Sequence, residues 1–210
     1  MFLEPSRNSQ PKGWIEVICG CMFSGKTEEL IRRINRAIIA KQTIIIFKPS
    51  IDIRYDDIKV VSHNRNSVSS VVVQKAQDIL ALATTCEVVA IDEAQFFDEA
   101  LIEVCMALAY KGKRVILSGL DMDFEGKPFG IMPQLMSVAE FITKVQAICV
   151  CCGEPASFSF RLNNMKQQIL VGEKDEYEPR CRTCFNKGMK EKSEVGKPIK
   201  FRKIEMHGDF

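Results

Sequence analysis

The sequence predicts an α/β domain built on a mainly parallel central sheet, followed by a small cysteine-rich domain, and three observations predict it. Short β-branched apolar runs alternate with helical segments, a glycine-rich turn joins the first run to the first helix, and two Cys-x-x-Cys pairs fall late in the chain.

Six runs read as buried strands: Trp14–Cys19, 43–47, 70–73, Val88–Ile91, 114–117 and 144–148. Between them, 26–40 places Leu30, Ile31, Ile34 and Ile38 on one helical face, and Ala100–Tyr110 does the same with Leu101, Val104, Cys105 and Leu108. Alternating βα units call for right-handed crossovers. Beyond residue 148 the character changes to cysteine pairs around a stretch, 161–178, with few secondary-structure signals. The expected organisation is an N-terminal extension at 1–13, an α/β domain at 14–147, a cysteine-rich domain at 148–190 and a polar tail at 191–210.

Composition narrows the function classes. The 210 residues are 46% hydrophobic, enough for a full core, and 29 basic against 27 acidic residues leave a net charge of +2. That balance offers no strong field to nucleic acid or to an anionic membrane. The apolar runs are shorter than the roughly 20 residues that span a bilayer, and the first twelve residues lack the pattern of a signal peptide. A soluble protein is expected. Nine cysteines, four of them (Cys19, Cys21, Cys86, Cys105) inside apolar stretches, argue against a disulfide framework.

Gly20, Cys21, Met22, Phe23, Ser24, Gly25, Lys26 and Thr27 fit G-x-x-x-x-G-K-[ST], between a strand and the helix it feeds. Phosphates need a concave row of backbone N–H groups, which Gly20 and Gly25 permit, and the helix N-terminus adds partial positive charge. Lys26 would neutralise the β- and γ-phosphates, and Thr27 would place a hydroxyl on Mg²⁺. The strand Val88–Ile91 then ends in Asp92 and Glu93. Asp92 would hold Mg²⁺ from a neighbouring strand, while Glu93 could take a proton from an attacking water or hydroxyl. The alternative is that these acids only cap a following helix.

Cys149-x-x-Cys152 and Cys181-x-x-Cys184 have the spacing of two knuckles on one tetrahedral Zn²⁺. Four thiolates leave no open position, so the metal would be structural. Cys151 is a spare thiol or a substitute for Cys152. The 28 residues 153–180 between the knuckles make a long loop whose base the metal would tie.

Taken in order, Gly20 to Thr27, Asp52-x-Arg54-Tyr55, the run from Ile91 through Asp92, Glu93, Ala94, Gln95 and Phe96 to Phe97, Lys127-Pro128-Phe129-Gly130 and the two cysteine pairs resemble the zinc-containing cytosolic thymidine kinase family. The resemblance runs from about residue 14 to 187. It implies a RecA-like P-loop domain, a zinc-binding domain carrying a lasso loop, and transfer of the γ-phosphate of ATP to the 5′-hydroxyl of thymidine. On that likeness Glu93 is the general base; Asp52, Ile53 and Arg54, with Asp92, Ala94 and Gln95, border the phosphates. Met22, Phe96, Leu120, Phe124, Phe129 and Ser159 enclose the nucleoside. Gln168, Ile169, Leu170, Val171 and Gly172 supply lasso backbone to the thymine edge, and Tyr177 closes one side. Without the family, Tyr177 is an ordinary loop aromatic.

The resemblance further implies a cytoplasmic homotetramer, feedback by thymidine triphosphate, and no nucleic-acid or membrane partner. Two residues depart from the family pattern. Cys21 stands where Pro is common, which would put a thiol near the phosphates and make the enzyme oxidant-sensitive unless ATP is bound. Ser159 stands where Thr is usual, close to the thymine methyl. Competing classes are a nucleic-acid-stimulated ATPase, suggested by Asp92-Glu93-Ala94-Gln95, and a zinc-ribbon binding module with a basic tail.

Overall fold

The computed structural model describes residues 12–51, 59–61, 67–163 and 176–195. The elements in chain order are β1 (Trp14–Cys19), α1 (Lys26–Ile39), β2 (Ile44–Pro49), β3 (Lys59–Val61), β4 (Ser67–Ser69), β5 (Val71–Val73), α2 (Asp78–Leu82), β6 (Val88–Ile91), α3 (Ala100–Tyr110), β7 (Arg114–Gly119), α4 (Met132–Val138), β8 (Phe141–Lys144), β9 (Ala147–Ile148), β10 (Pro155–Ala156), β11 (Phe158–Arg161), β12 (Tyr177–Arg180) and α5 (Arg182–Val195). Six strands form one parallel sheet in the order β5-β2-β6-β7-β1-β8.

Side chains that alternate along each strand separate into two cores. Ile15, Val17, Val89, Ile91, Val115 and Leu117 face α3 and α4, meeting Leu101, Val104, Leu108, Met132 and Leu135. Ile18, Val88, Ala90 and Ile116 face α1, meeting Leu30, Ile31 and Ile34. Burying each such side chain stabilises by about 1.5–3 kcal/mol, so the central strands are the rigid part of the chain.

One charged residue interrupts this pattern. Glu16, in the middle of β1, is 0% exposed, and its carboxylate receives Arg33 Nη1 at 2.8 Å and Arg114 Nε at 2.7 Å. Arg33 also donates from Nε to Glu29 at 2.8 Å and from Nη2 to Thr143 Oγ1 at 2.8 Å. A buried charge persists only when paired, and this network pins α1 to β1, β7 and β8 at once.

The cysteine-rich region is slighter. It holds two antiparallel pairs, β9 with β10 and β11 with β12, and α5 lies against them through Phe185, which stacks on Phe158 at 4.6 Å. Gly188 is required here: an added Cβ would come within 2.8 Å of the Phe160 ring.

Two expectations need correction. The run 144–148 is not one strand: β8 ends at Lys144, the Val145 amide bonds to Cys19 O at 2.8 Å across the top of β1, and pairing resumes at Ala147 in a different sheet. Nor is the segment after Lys187 simply a polar tail, since α5 continues to Val195 and buries Phe185 and Gly188 beneath its charged surface. The helices α2 and α4 were not anticipated. Residues 1–11 and 196–210 lie outside the described residues, as do Asp52, Ile53, Arg54, Gln168, Ile169, Leu170, Val171 and Gly172.

Candidate active site

The turn from β1 to α1 has the geometry an anion requires. Gly20 (φ 147°) and Gly25 (φ 84°) occupy the left-handed side of φ, and a Cβ on Gly20 would lie 2.2 Å from Val145 O. Phe23, at φ 64°, is a non-glycine residue held in the same region, the kind of strain that surrounding contacts must sustain. No side chain caps α1 at Gly25, while Glu28 and Glu29 occupy its first turn. The Cys21 carbonyl accepts two bonds, from Ser24 Oγ at 2.7 Å and from Lys26 Nζ at 2.8 Å. The ammonium is thereby folded over its own loop, with Thr27 next to it in the first helical turn.

Cys21 itself corrects an expectation. Its thiol donates to Ala156 O at 3.3 Å and packs with Ala147 and Cys149. Burial pushes the thiol above its ordinary value, against the opposing hydrogen bond at Ala147. A buried thiol facing the cysteine-rich region is a poor oxidant target, which argues against the expected oxidant sensitivity.

β6 delivers the acids. Asp92, mostly buried, bonds through its amide to Phe47 O at 2.9 Å, and Asp92 Oδ1 receives the Glu93 amide at 3.0 Å. The sequence reading placed Asp92 on a strand neighbouring β1; instead β7 lies between β6 and β1. The parallel order still brings both C-terminal ends to one edge of the sheet, where such folds bind ligands. Glu93 adopts φ 52° and its Oε2 receives Gln95 Nε2 at 2.5 Å, while Gln95 Oε1 accepts the Leu120 amide at 3.0 Å. Gln95 thus fixes the carboxylate to the end of β7. The capping alternative fails on geometry: Glu93 is the N-cap residue of the 3-10 turn Ala94–Phe96 that follows but makes no side-chain capping bond to it, and at the start of α3 it is Asp98 that receives the Ala100 amide, at 3.1 Å.

Around this edge the structure brings several of the nucleoside-site candidates together in pairs. The Phe96 and Phe129 rings meet edge to face at 5.8 Å. Met22 N donates to Ser159 Oγ at 3.0 Å, so the Ser159 hydroxyl supports the phosphate loop. Tyr177 and Phe124 are joined by a residue the sequence did not single out. Arg161, 2% exposed, stacks its guanidinium 3.7 Å above the Phe124 ring and donates from Nε to the Tyr177 hydroxyl at 3.0 Å. An arginine inside the buried run Phe158–Arg161 was the available signal.

The four cysteines converge. The sulfurs of Cys149, Cys152, Cys181 and Cys184 all lie within 4.8 Å of one another, with Cys152 and Cys181 at 3.6 Å. A tetrahedral zinc with Zn–S of about 2.3 Å has S–S edges of about 3.8 Å, so the cluster fits that ion. Cys151 is exposed and outside the group, and it is Cys152 that stands among the four sulfurs that could hold a metal. Burial resists a charge on Cys149, but hydrogen bonds from the backbone at Cys181, Cys151 and Cys152 outweigh it and bring the thiol down to about 6. Cys152, despite a lowering backbone bond at Glu154, and Cys184, beside Cys181 and Cys152, are instead held above their ordinary value, so a metal bound there would have to displace their protons. For Mg²⁺ the matching donors are hard oxygens, the Thr27 hydroxyl and the Asp92 carboxylate.

A family model described as thymidine kinase matches residues 13–185. Curated thymidine kinases are similar over most of their length. That of Porphyromonas gingivalis is 57% identical over 84% of this chain and 86% of its own. The Rhodothermus sp. protein is 55% identical over 88% of both chains. The Bacteroides fragilis protein is 53% identical over 90% of this chain and 94% of its own.

Proposed function

This chain belongs to the thymidine kinase family, and on that premise we propose that it transfers the γ-phosphate of ATP to the 5′-hydroxyl of thymidine. The observation that carries the reading is the carboxylate of Glu93, held at the sheet edge by Gln95 rather than spent on capping a helix. Within residues Gly20 to Thr27 the backbone amides other than that of Met22, which is spent on Ser159 Oγ, cradle the triphosphate, with Lys26 leaving its bond to Cys21 O for the phosphates. Thr27 and Asp92 would hold Mg²⁺, which supplies charge neutralisation on the transferring phosphoryl group. Glu93 accepts the proton of the 5′-hydroxyl. Zn²⁺ on Cys149, Cys152, Cys181 and Cys184 is structural and anchors the loop between the knuckles.

Met22, Phe96, Leu120, Phe124, Phe129, Ser159 and Tyr177 enclose the nucleoside, with Arg161 fixing the attitude of Phe124 and Tyr177. The family resemblance supports roles for Asp52, Ile53 and Arg54 beside the phosphates and for Gln168 to Gly172 over the base. It also supports a cytoplasmic homotetramer inhibited by thymidine triphosphate. Among the described residues no helix is long and apolar enough to cross a membrane.

The test is a nucleoside panel with Mg·ATP, scored by monophosphate formed and ATP consumed. ATP consumption should rise with thymidine and match the monophosphate produced. Consumption that ignores thymidine, or that rises only with single-stranded DNA or RNA, would overturn the proposal.

A further inference from the structure

The phosphate loop and the four-cysteine cluster meet at one residue. The Cys21 side chain, 2% exposed, lies in a small core with Ala147, Cys149 and Ala156, against which Cys181 and Cys184 also pack. Three of those residues belong to the four-cysteine cluster that could hold a metal. The carbonyl of the same Cys21 accepts the Lys26 ammonium and the Ser24 hydroxyl. One residue on, the Met22 amide is held by Ser159 Oγ from β11. The loop is therefore clamped at two successive residues by β10 and β11, through Ala156 O and Ser159 Oγ.

We infer that Cys21 and Ser159 are positioning residues that couple metal occupancy of the four-cysteine cluster to the shape of the phosphate loop, so that metal and nucleoside triphosphate strengthen each other's binding. The physical reason is lack of slack. Phe23 sits in a left-handed conformation and Gly20 is wedged within 2.2 Å, at its missing Cβ, of Val145 O. A shift of β10 and β11 as the cysteines separate cannot be absorbed within the loop, and it displaces the Cys21–Met22 stretch that shapes the phosphate cradle. Metal removal then lowers triphosphate affinity, and linkage requires the reverse effect by the same factor. A purely space-filling contact would change stability without transmitting anything between the sites.

The inference rests on residues 20–27 being the nucleotide site. The experiment follows zinc transfer from the loaded protein to a zinc-selective chromogenic chelator, with and without saturating Mg²⁺ and a non-hydrolysable ATP analogue, and without thymidine. Binding of the analogue is measured by calorimetry in the same samples. The analogue should slow zinc release by about fivefold or more. Cys21→Ala and Ser159→Ala should each shrink that ratio, and the double variant should bring it to one. Cys21→Ser and Ser159→Thr, which keep the donor and the acceptor, should preserve it. An analogue that binds yet leaves the wild-type rate unchanged overturns the coupling, as does full slowing in the double variant. An analogue that does not bind overturns the nucleotide-site reading as well.

Discussion

The parallel sheet and the cysteine-rich region solve the same problem, holding side chains at one edge of the molecule, with different means. The sheet buries alternating apolar side chains on both faces and adds the Glu16, Arg33 and Arg114 network inside. The cysteine-rich region has strands of two to four residues and a core centred on Phe158, Phe160 and Phe185. A core that small cannot offset the entropy of ordering its chain. The proposed proton acceptor and phosphate loop thus stand on the larger core, while the cysteine-rich region adds to its small core only four clustered sulfurs that could hold an ion.

That contrast can be broken most severely by removing the metal. Structural zinc contributes on the order of 10 kcal/mol in small domains. Chelation should therefore release amide exchange protection in β9 to β12 while β6 and β7 stay protected. Equal loss in both regions, read by hydrogen exchange, would erase the distinction. Next in size, Glu16→Ala takes from buried Arg33 and Arg114 the carboxylate they share, leaving Arg33 with Glu29 and Thr143, and should cost about 3–5 kcal/mol. Denaturant titration showing less than about 1 kcal/mol would mean that apolar packing alone fixes α1.

A third variant sharpens the role of Gln95. Gly130 has φ 50°, and a Cβ there would stand 2.6 Å from the Gln95 carbonyl oxygen. Gly130→Ala should displace the residue that holds Glu93 and lower kcat about tenfold, which is about 1.4 kcal/mol. An unchanged kcat would show that Glu93 does not depend on that support.

The smallest effect is a pH dependence. Burial pushes the Glu29 carboxyl up, but its hydrogen bonds to Arg32 and Arg33 hold it below its ordinary value of 4.5. A depressed carboxyl contributes stability that is present above that ordinary value and is lost as pH falls through the lower folded one. Glu29→Gln should remove this part of the acid dependence in melting curves taken below neutral pH. An identical acid limb would assign it to other carboxylates.

Local features were legible in the sequence because their chemistry is set by spacing. The phosphate loop, the strand ending in Asp92 and Glu93, and both cysteine pairs are contained within a few residues. The helix α5 was hidden by its lysines and glutamates, although Phe185, Gly188 and Met189 repeat on one face. The orientation of Cys21 and the bond from Met22 to Ser159 were not legible, since the partners lie 135 and 137 residues away. Glu16 gave half a signal: a carboxylate within an apolar strand demands a partner, but nothing local names Arg33 or Arg114 as that partner.

The central claim is that Glu93 takes the proton from the accepting hydroxyl, and Glu93→Gln tests it most directly, because the amide keeps the shape and loses the base. With saturating thymidine and Mg·ATP, kcat for thymidine monophosphate should fall by about 10²–10⁴, with ATP-analogue affinity unchanged. Turnover within about threefold of wild type would contradict the account.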